Sequence, residues 1–178
     1  MTTALLVVDV QNDVMNASIR RDETVANIAA LVERARSTAV PVVWVRHHAE
    51  EELVLGTDGW QIVPELVPAD GEPIVEKTFG DSFAETELGE VLSGKGVDSL
   101  VLCGAQTDAC IRSTFYGALY RGFPVTLVAD AHTTEDMRPW GMEFSPEQSI
   151  AVLNAQAGYT RLPDVQGGVT TTAEAFAG

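Results

Sequence analysis

Basic residues are scarce in this chain. Its 178 residues include 11 lysines and arginines against 26 aspartates and glutamates, a formal net charge of −15. That shortage disfavours nucleic acid or an anionic membrane as a partner, because both are held through clustered Lys and Arg. It says little about the sign of any one pocket. Cysteine is scarcer still: Cys103 and Cys110 are the only two. They make no disulfide framework, so a reducing, cytoplasmic setting is expected. Long hydrophobic runs are also missing. The N-terminal MTTALLVVDV has no basic leader and meets Asp9 after a short apolar stretch, which fits neither a signal peptide nor a membrane span. No Gly-rich phosphate loop follows any apolar run, which weakens the case for a nucleotide-binding module.

What is present is apolar alternation. Hydrophobic residues make up 46% of the chain, enough for a core at this length. ALLVVD (4–9), PVVWVRH (41–47), PIVEK (73–77), SLVLCG (99–104) and PVTLVAD (124–130) read as strands, with YTRL (159–162) as a sixth. Helical periodicity predicts helices over 23–37, 83–94, from near Cys110 to about Arg121, and over 146–157. The last of these opens on Ser145-Pro146, an N-cap followed by a proline at the first helical position. An irregular stretch, 48–72, lies between the second and third strands, and such a stretch is usually functional or a partner contact. No linker divides the chain. It reads as one domain, 1–178, with a Gly- and Thr-rich tail, about 163–178, expected to be weakly structured.

Near-continuous Val/Leu/Ile strands alternating with amphipathic helices predict a parallel sheet covered on both faces. Ligands of such sheets bind beyond the carboxyl ends of the strands. Asp9, His47, Lys77, Gly104 and Asp130 all fall at predicted strand ends and should converge on one rim. Cys110, in GAQTDACI, opens the helix after the fourth strand, where orphan amides favour a thiolate over a thiol of ordinary pKa about 8.5. With Asp9 as base and Lys77 as a stabilising charge, such a thiol could run acyl transfer. Each residue also has a plainer reading. A cysteine packs well, an aspartate ends strands, and a lysine at a strand end is commonly solvated. Convergence is what favours chemistry over these.

VVDVQND (7–13), EKTFGDSF (76–83) and GAQTDACI (104–111) resemble the isochorismatase-like cysteine hydrolases, which include nicotinamidases and N-carbamoylsarcosine amidohydrolases. The resemblance covers about residues 4 to 162. It implies a three-layer α/β/α sandwich with a six-stranded, mainly parallel sheet. It implies a catalytic triad on Asp9, Lys77 and Cys110, and a non-proline cis peptide between Ala105 and Gln106 that turns the Gln106 amide into an oxyanion hole. The implied activity is hydrolysis of a small amide or related C–N bond through a Cys110 thioester. The alternatives are vinyl ether cleavage of the isochorismatase type, which needs no nucleophilic sulfur, and a non-catalytic small-molecule-binding module.

The resemblance has gaps. Nicotinamidases hold a divalent metal through an Asp-x-His motif, whereas this chain reads VRHHAEEE over 45–52. His47 and His48 are adjacent and should point to opposite sides of an extended chain, so neither a metal nor another cofactor is expected. Gln11, Trp60, Phe79, Phe83 and Trp140 are candidates for lining the substrate pocket. Leu53, Val54, Leu55 and Trp60 in the irregular stretch suggest a homodimer or homotetramer.

Overall fold

The computed structural model describes residues 2–176. The chain runs β1 (Thr3–Val8), α1 (Asn12–Asn16), α2 (Arg21–Ser37), β2 (Val42–His47), β3 (Ile74–Lys77), α3 (Leu88–Gly94) and β4 (Ser99–Ala105). A π-helical turn (Thr107–Ile111), α4 (Arg112–Tyr120), β5 (Val125–Thr133), a 3-10 turn (Arg138–Trp140), α5 (Pro146–Tyr159), β6 (Arg161–Leu162) and β7 (Val165–Thr170) follow. The strands form one sheet in the order β3-β2-β1-β4-β5-β7-β6, parallel throughout except for the β6–β7 hairpin.

Alternation along the strands divides the core between the two faces. Ala4, Leu6 and Val8 of β1 and Leu100 and Leu102 of β4 join Phe115, Leu119 and Leu153 from α4 and α5. Leu5 and Val7 of β1, with Val101 and Cys103 of β4, join Val25, Ile28 and Leu31 of α2. This is the expected α/β/α layering, and no helix among the described residues is long and apolar enough to cross a membrane.

The sheet differs from expectation at one edge: it has seven strands, not six, because the tail expected to be weakly structured supplies β7. Gly167 and Gly168 make that segment look like a loop in sequence. At Gly167 the reason for glycine is space, since a Cβ would lie 2.6 Å from the Ala157 carbonyl oxygen and 2.7 Å from the Phe115 ring. The strand needs the glycine to approach α5 closely. Residues 177 and 178 of that tail lie outside the described residues. The helix expected over 83–94 begins only at Leu88, because Asp81 Oδ1 accepts from the Phe83 amide and Glu85 takes φ 53°, holding the first residues in turns. β5 runs on past Asp130, whose carboxylate leaves the expected rim and accepts the amide and hydroxyl of Thr172.

Candidate active site

β1 and β3 end beside each other's neighbours at the carboxyl edge of the sheet, and their last side chains meet. Lys77, the final residue of β3, is buried with its ammonium 2.7 Å from Asp9 Oδ2. The same nitrogen lies 3.2 Å from Cys110 Sγ, 3.0 Å from His47 Nδ1 and 3.1 Å from the Phe79 carbonyl oxygen. A buried ammonium left unpaired would be costly, so four acceptors around it make physical sense. Asp9 follows β1 in the left-handed region at φ 52°, which is uncommon outside glycine but most accessible to Asp and Asn. Its other oxygen, Oδ1, is buried with no hydrogen-bond partner among the described residues.

Gly104 makes the convergence possible. It has φ 123°, and a Cβ there would stand 2.0 Å from the Val8 carbonyl oxygen. Any side chain would push β4 away from the end of β1, and Cys110 away from Asp9. Beyond Gly104, the Ala105–Gln106 peptide is cis, and the π turn begins. The Gln106 carbonyl accepts the amides of Ala109 and Ile111, passing over the Cys110 amide between them. Gln106, Ala109 and Cys110 all line a cavity of about 950 Å³ that Asp9 and His47 also face.

The electrostatics differ from the sequence expectation in one respect. Cys110 does not rest as an activated thiolate. Burial, then the neighbouring Asp9 carboxylate, push its thiol up to about 12 against the opposing pull of Lys77. His47 is pushed below its ordinary value by burial and by Lys77. Since the ammonium donates to Nδ1, the neutral ring carries its proton on Nε2. Asp9, His47 and Cys110 offer ligand atoms within 4.8 Å of one another, a donor set with some likeness to a metal site. The Lys77 ammonium is within hydrogen-bond distance of all three, so a dication there would meet a fixed positive charge at its centre.

The expected pocket residues are only partly brought to the cavity. Trp140 lines its mouth. Gln11 is fully buried and does not line it. Its amide instead pairs with the His47 backbone, accepting from His47 N at 2.7 Å and donating to His47 O at 2.8 Å, and it also donates to Trp60 O. Gln11 thus pins the end of β2 and the irregular stretch to the end of β1. Trp60 turns instead to Arg46, whose guanidinium lies 3.7 Å from the ring centroid, and to Glu76, which accepts from its Nε1. Phe83 packs into the core against Phe123 with ring centroids 5.7 Å apart, and Phe79, an exposed residue, contributes its carbonyl. Aromatic type alone did not reveal which way these rings would turn.

Sequence reasoning missed two features. One is the set of carboxylates at the cavity mouth, of which the EEE run at 50–52 was the visible trace. The other is a buried chain behind the π turn: Thr107 Oγ1 meets His132 Nδ1 at 2.8 Å, and His132 Nε2 meets Asn154 Oδ1 at 2.9 Å. Burial pushes His132 down to about 4, so it is neutral here, donating to Asn154 and accepting from Thr107.

A sequence model of the isochorismatase domain matches residues 3–158. The chain belongs to the isochorismatase family. Among its relatives, a streptothricin hydrolase of Streptomyces noursei is 37% identical over 139 residues, covering 75% of this chain. Those residues span 55% of the Streptomyces protein, so about half of that relative is matched. Among solved structures, a cysteine hydrolase from Pseudomonas syringae pv. phaseolicola 1448A superposes with a TM-score of 0.86 at 25% identity, covering 98% of this chain and 90% of that one. An N-carbamoylsarcosine amidase from Thermoplasma acidophilum does so with a TM-score of 0.75 at 27% identity, covering 98% of each chain.

Proposed function

We propose that this isochorismatase-family hydrolase cleaves a small amide or related C–N bond through a thioester on Cys110. The observation that carries the reading is Lys77 Nζ, held between Asp9 Oδ2 and Cys110 Sγ, whose residues both line a cavity with room for a small molecule. The names of two relatives, streptothricin hydrolase and N-carbamoylsarcosine amidase, agree with hydrolysis of this kind.

Because burial and Asp9 raise the Cys110 thiol, sulfur needs a base to take its proton as it attacks. Asp9 Oδ1, buried and unpartnered, therefore takes the proton as sulfur attacks the carbonyl carbon, while Lys77 offsets the charge gathering on both groups. The oxyanion falls to the Gln106 and Cys110 amides. Asp9 passes its proton to the leaving nitrogen as the C–N bond breaks, giving the free amine or ammonia and an acyl-Cys110 thioester. Water then attacks the thioester, losing a proton to Asp9. The C–S bond breaks, the acid leaves, and Asp9 returns the proton to sulfur. A panel of small amides and carbamoyl compounds assayed for ammonia release, with Cys110→Ala as the blank, tests this. Release by wild type alone is expected. Near-normal turnover by Cys110→Ala on a compound the wild type cleaves would reject the thioester and favour protonation-driven vinyl ether chemistry.

A further inference from the structure

The mouth of the Cys110 cavity is lined by five carboxylates, Asp13, Glu51, Glu52, Asp58 and Glu135, and by no lysine or arginine. Acid is abundant in this protein, so the number alone decides little. What matters more is where positive charge is committed: Arg21 binds Asp22 and Glu65, Arg36 binds Glu72, Arg46 binds Glu76, Arg121 binds Asp81 and Arg138 binds Asp136. None of the five mouth carboxylates takes part in an ion pair among the described residues. On the cavity floor Asp9 is 1% exposed and leaves Oδ1 without a partner, while Lys77 is spent on Asp9 and His47 is neutral. The field over the opening is therefore uncompensated, and a cleft lined by one sign of charge concentrates ligands of the other. Trp140, 68% exposed at the same mouth, offers the ring face that attracts cations.

We infer that the substrate is a cationic amide, carrying an ammonium or guanidinium group beside the carbonyl that Cys110 attacks. This deepens the hydrolase reading and rests on Cys110 as the nucleophile of this cavity. The five carboxylates and Trp140 are its specificity residues, and an anionic substrate is repelled before it reaches the floor.

The test separates charge selection from catalysis. Three methanethiosulfonate reagents, bearing a trimethylammonium group, a methyl group or a sulfonate, are reacted with the intact protein, and Cys110 labelling is followed by mass spectrometry. Each rate is divided by the same reagent's rate with 2-mercaptoethanol. At low ionic strength the cationic reagent is expected to exceed the anionic one by about tenfold or more, with the ratio collapsing in high salt. Combined Glu52→Gln, Asp58→Asn and Glu135→Gln should remove most of that preference. A ratio near one in wild type overturns the inference and leaves the thioester reading intact. A full ratio in the triple variant overturns the assignment to these carboxylates. If Cys110 reacts with none of the reagents, the thioester reading fails, and charge selection is decided by calorimetry on Cys110→Ala. There, betaine amide should bind more tightly than its neutral isostere 3,3-dimethylbutanamide, and equal binding or no heat from either overturns the inference.

Discussion

The interior of β4 and the turn that follows it each hold a cysteine, and burial raises both thiols. Cys103 is fully buried in the α2-side core, where its nearest polar contact is the Leu6 carbonyl at 3.8 Å, and burial alone drives its thiol far above the ordinary range. Cys110 is partly exposed to the cavity, and its thiol is raised by burial and by Asp9 while Lys77 pulls the other way. The lesson is that a protonated resting thiol does not distinguish packing from chemistry. The distinction lies in whether a base and a counter-charge stand ready to receive the proton and stabilise the anion. Only the second cysteine has them.

The comparison breaks most sharply at turnover. On any amide the wild type cleaves, Cys110→Ala should lose at least about a thousandfold in ammonia release, and Asp9→Asn should lose a similar factor, because members of one catalytic unit fail together. Cys103→Ala should stay within about threefold of wild type in the same assay, while urea unfolding shows a loss of about 1–2 kcal/mol from the small cavity. Loss of activity in both cysteine variants would erase the contrast.

Alkylation sharpens it further. Iodoacetamide should modify Cys110 at least about tenfold faster than Cys103, measured peptide by peptide in one native sample, since a sealed neutral thiol meets neither reagent nor base. Removing the counter-charge should then slow Cys110. Lys77→Met takes away the charge that opposes burial and Asp9, so Cys110 alkylation at pH 9 should fall about tenfold. Cys103 should not respond.

A further contrast lies in stability at alkaline pH. Cys103 keeps its proton in the folded state well above the 9.0 of an unperturbed thiol, so its contribution is complete below pH 9 and is lost as pH rises above that value. From pH 9 to 11 wild type should lose about 2 kcal/mol more than Cys103→Ala, the slope steepening toward about 1.4 kcal/mol per pH unit as the unfolded thiol ionises. Urea midpoints across that range provide the check, and parallel slopes would show that Cys103 titrates freely.

Much of the architecture was legible because buried parallel strands read as unbroken apolar runs, and β1 to β5 did so. β7 was not, because Gly167 and Gly168 serve a close approach to α5 that only the packed helix makes visible. The late start of α3 escaped for a related reason: the turns at 83–87 depend on Asp81 and on one positive φ, not on apolar period. At the site, motif order singled out Asp9, Lys77 and Cys110, and the fold sets them side by side. The ring directions of Trp60, Phe79 and Phe83 were invisible, because an aromatic side chain is equally at home in a core, on a cation or at a surface.

By itself, the sequence determined the strand–helix alternation, the parallel sheet and the small set of polar residues at strand ends, because period and composition are local properties that survive without a structure. Only the tertiary structure decided that Lys77 would be shared among Asp9, His47 and Cys110, that burial and Asp9 would raise the thiol, and that five carboxylates would line its cavity with no ion-pair partner among the described residues. Burial and pairing are properties of the assembled neighbourhood. Residues brought together from β1, β2, β3 and the turn after β4 acquire their charge states from one another.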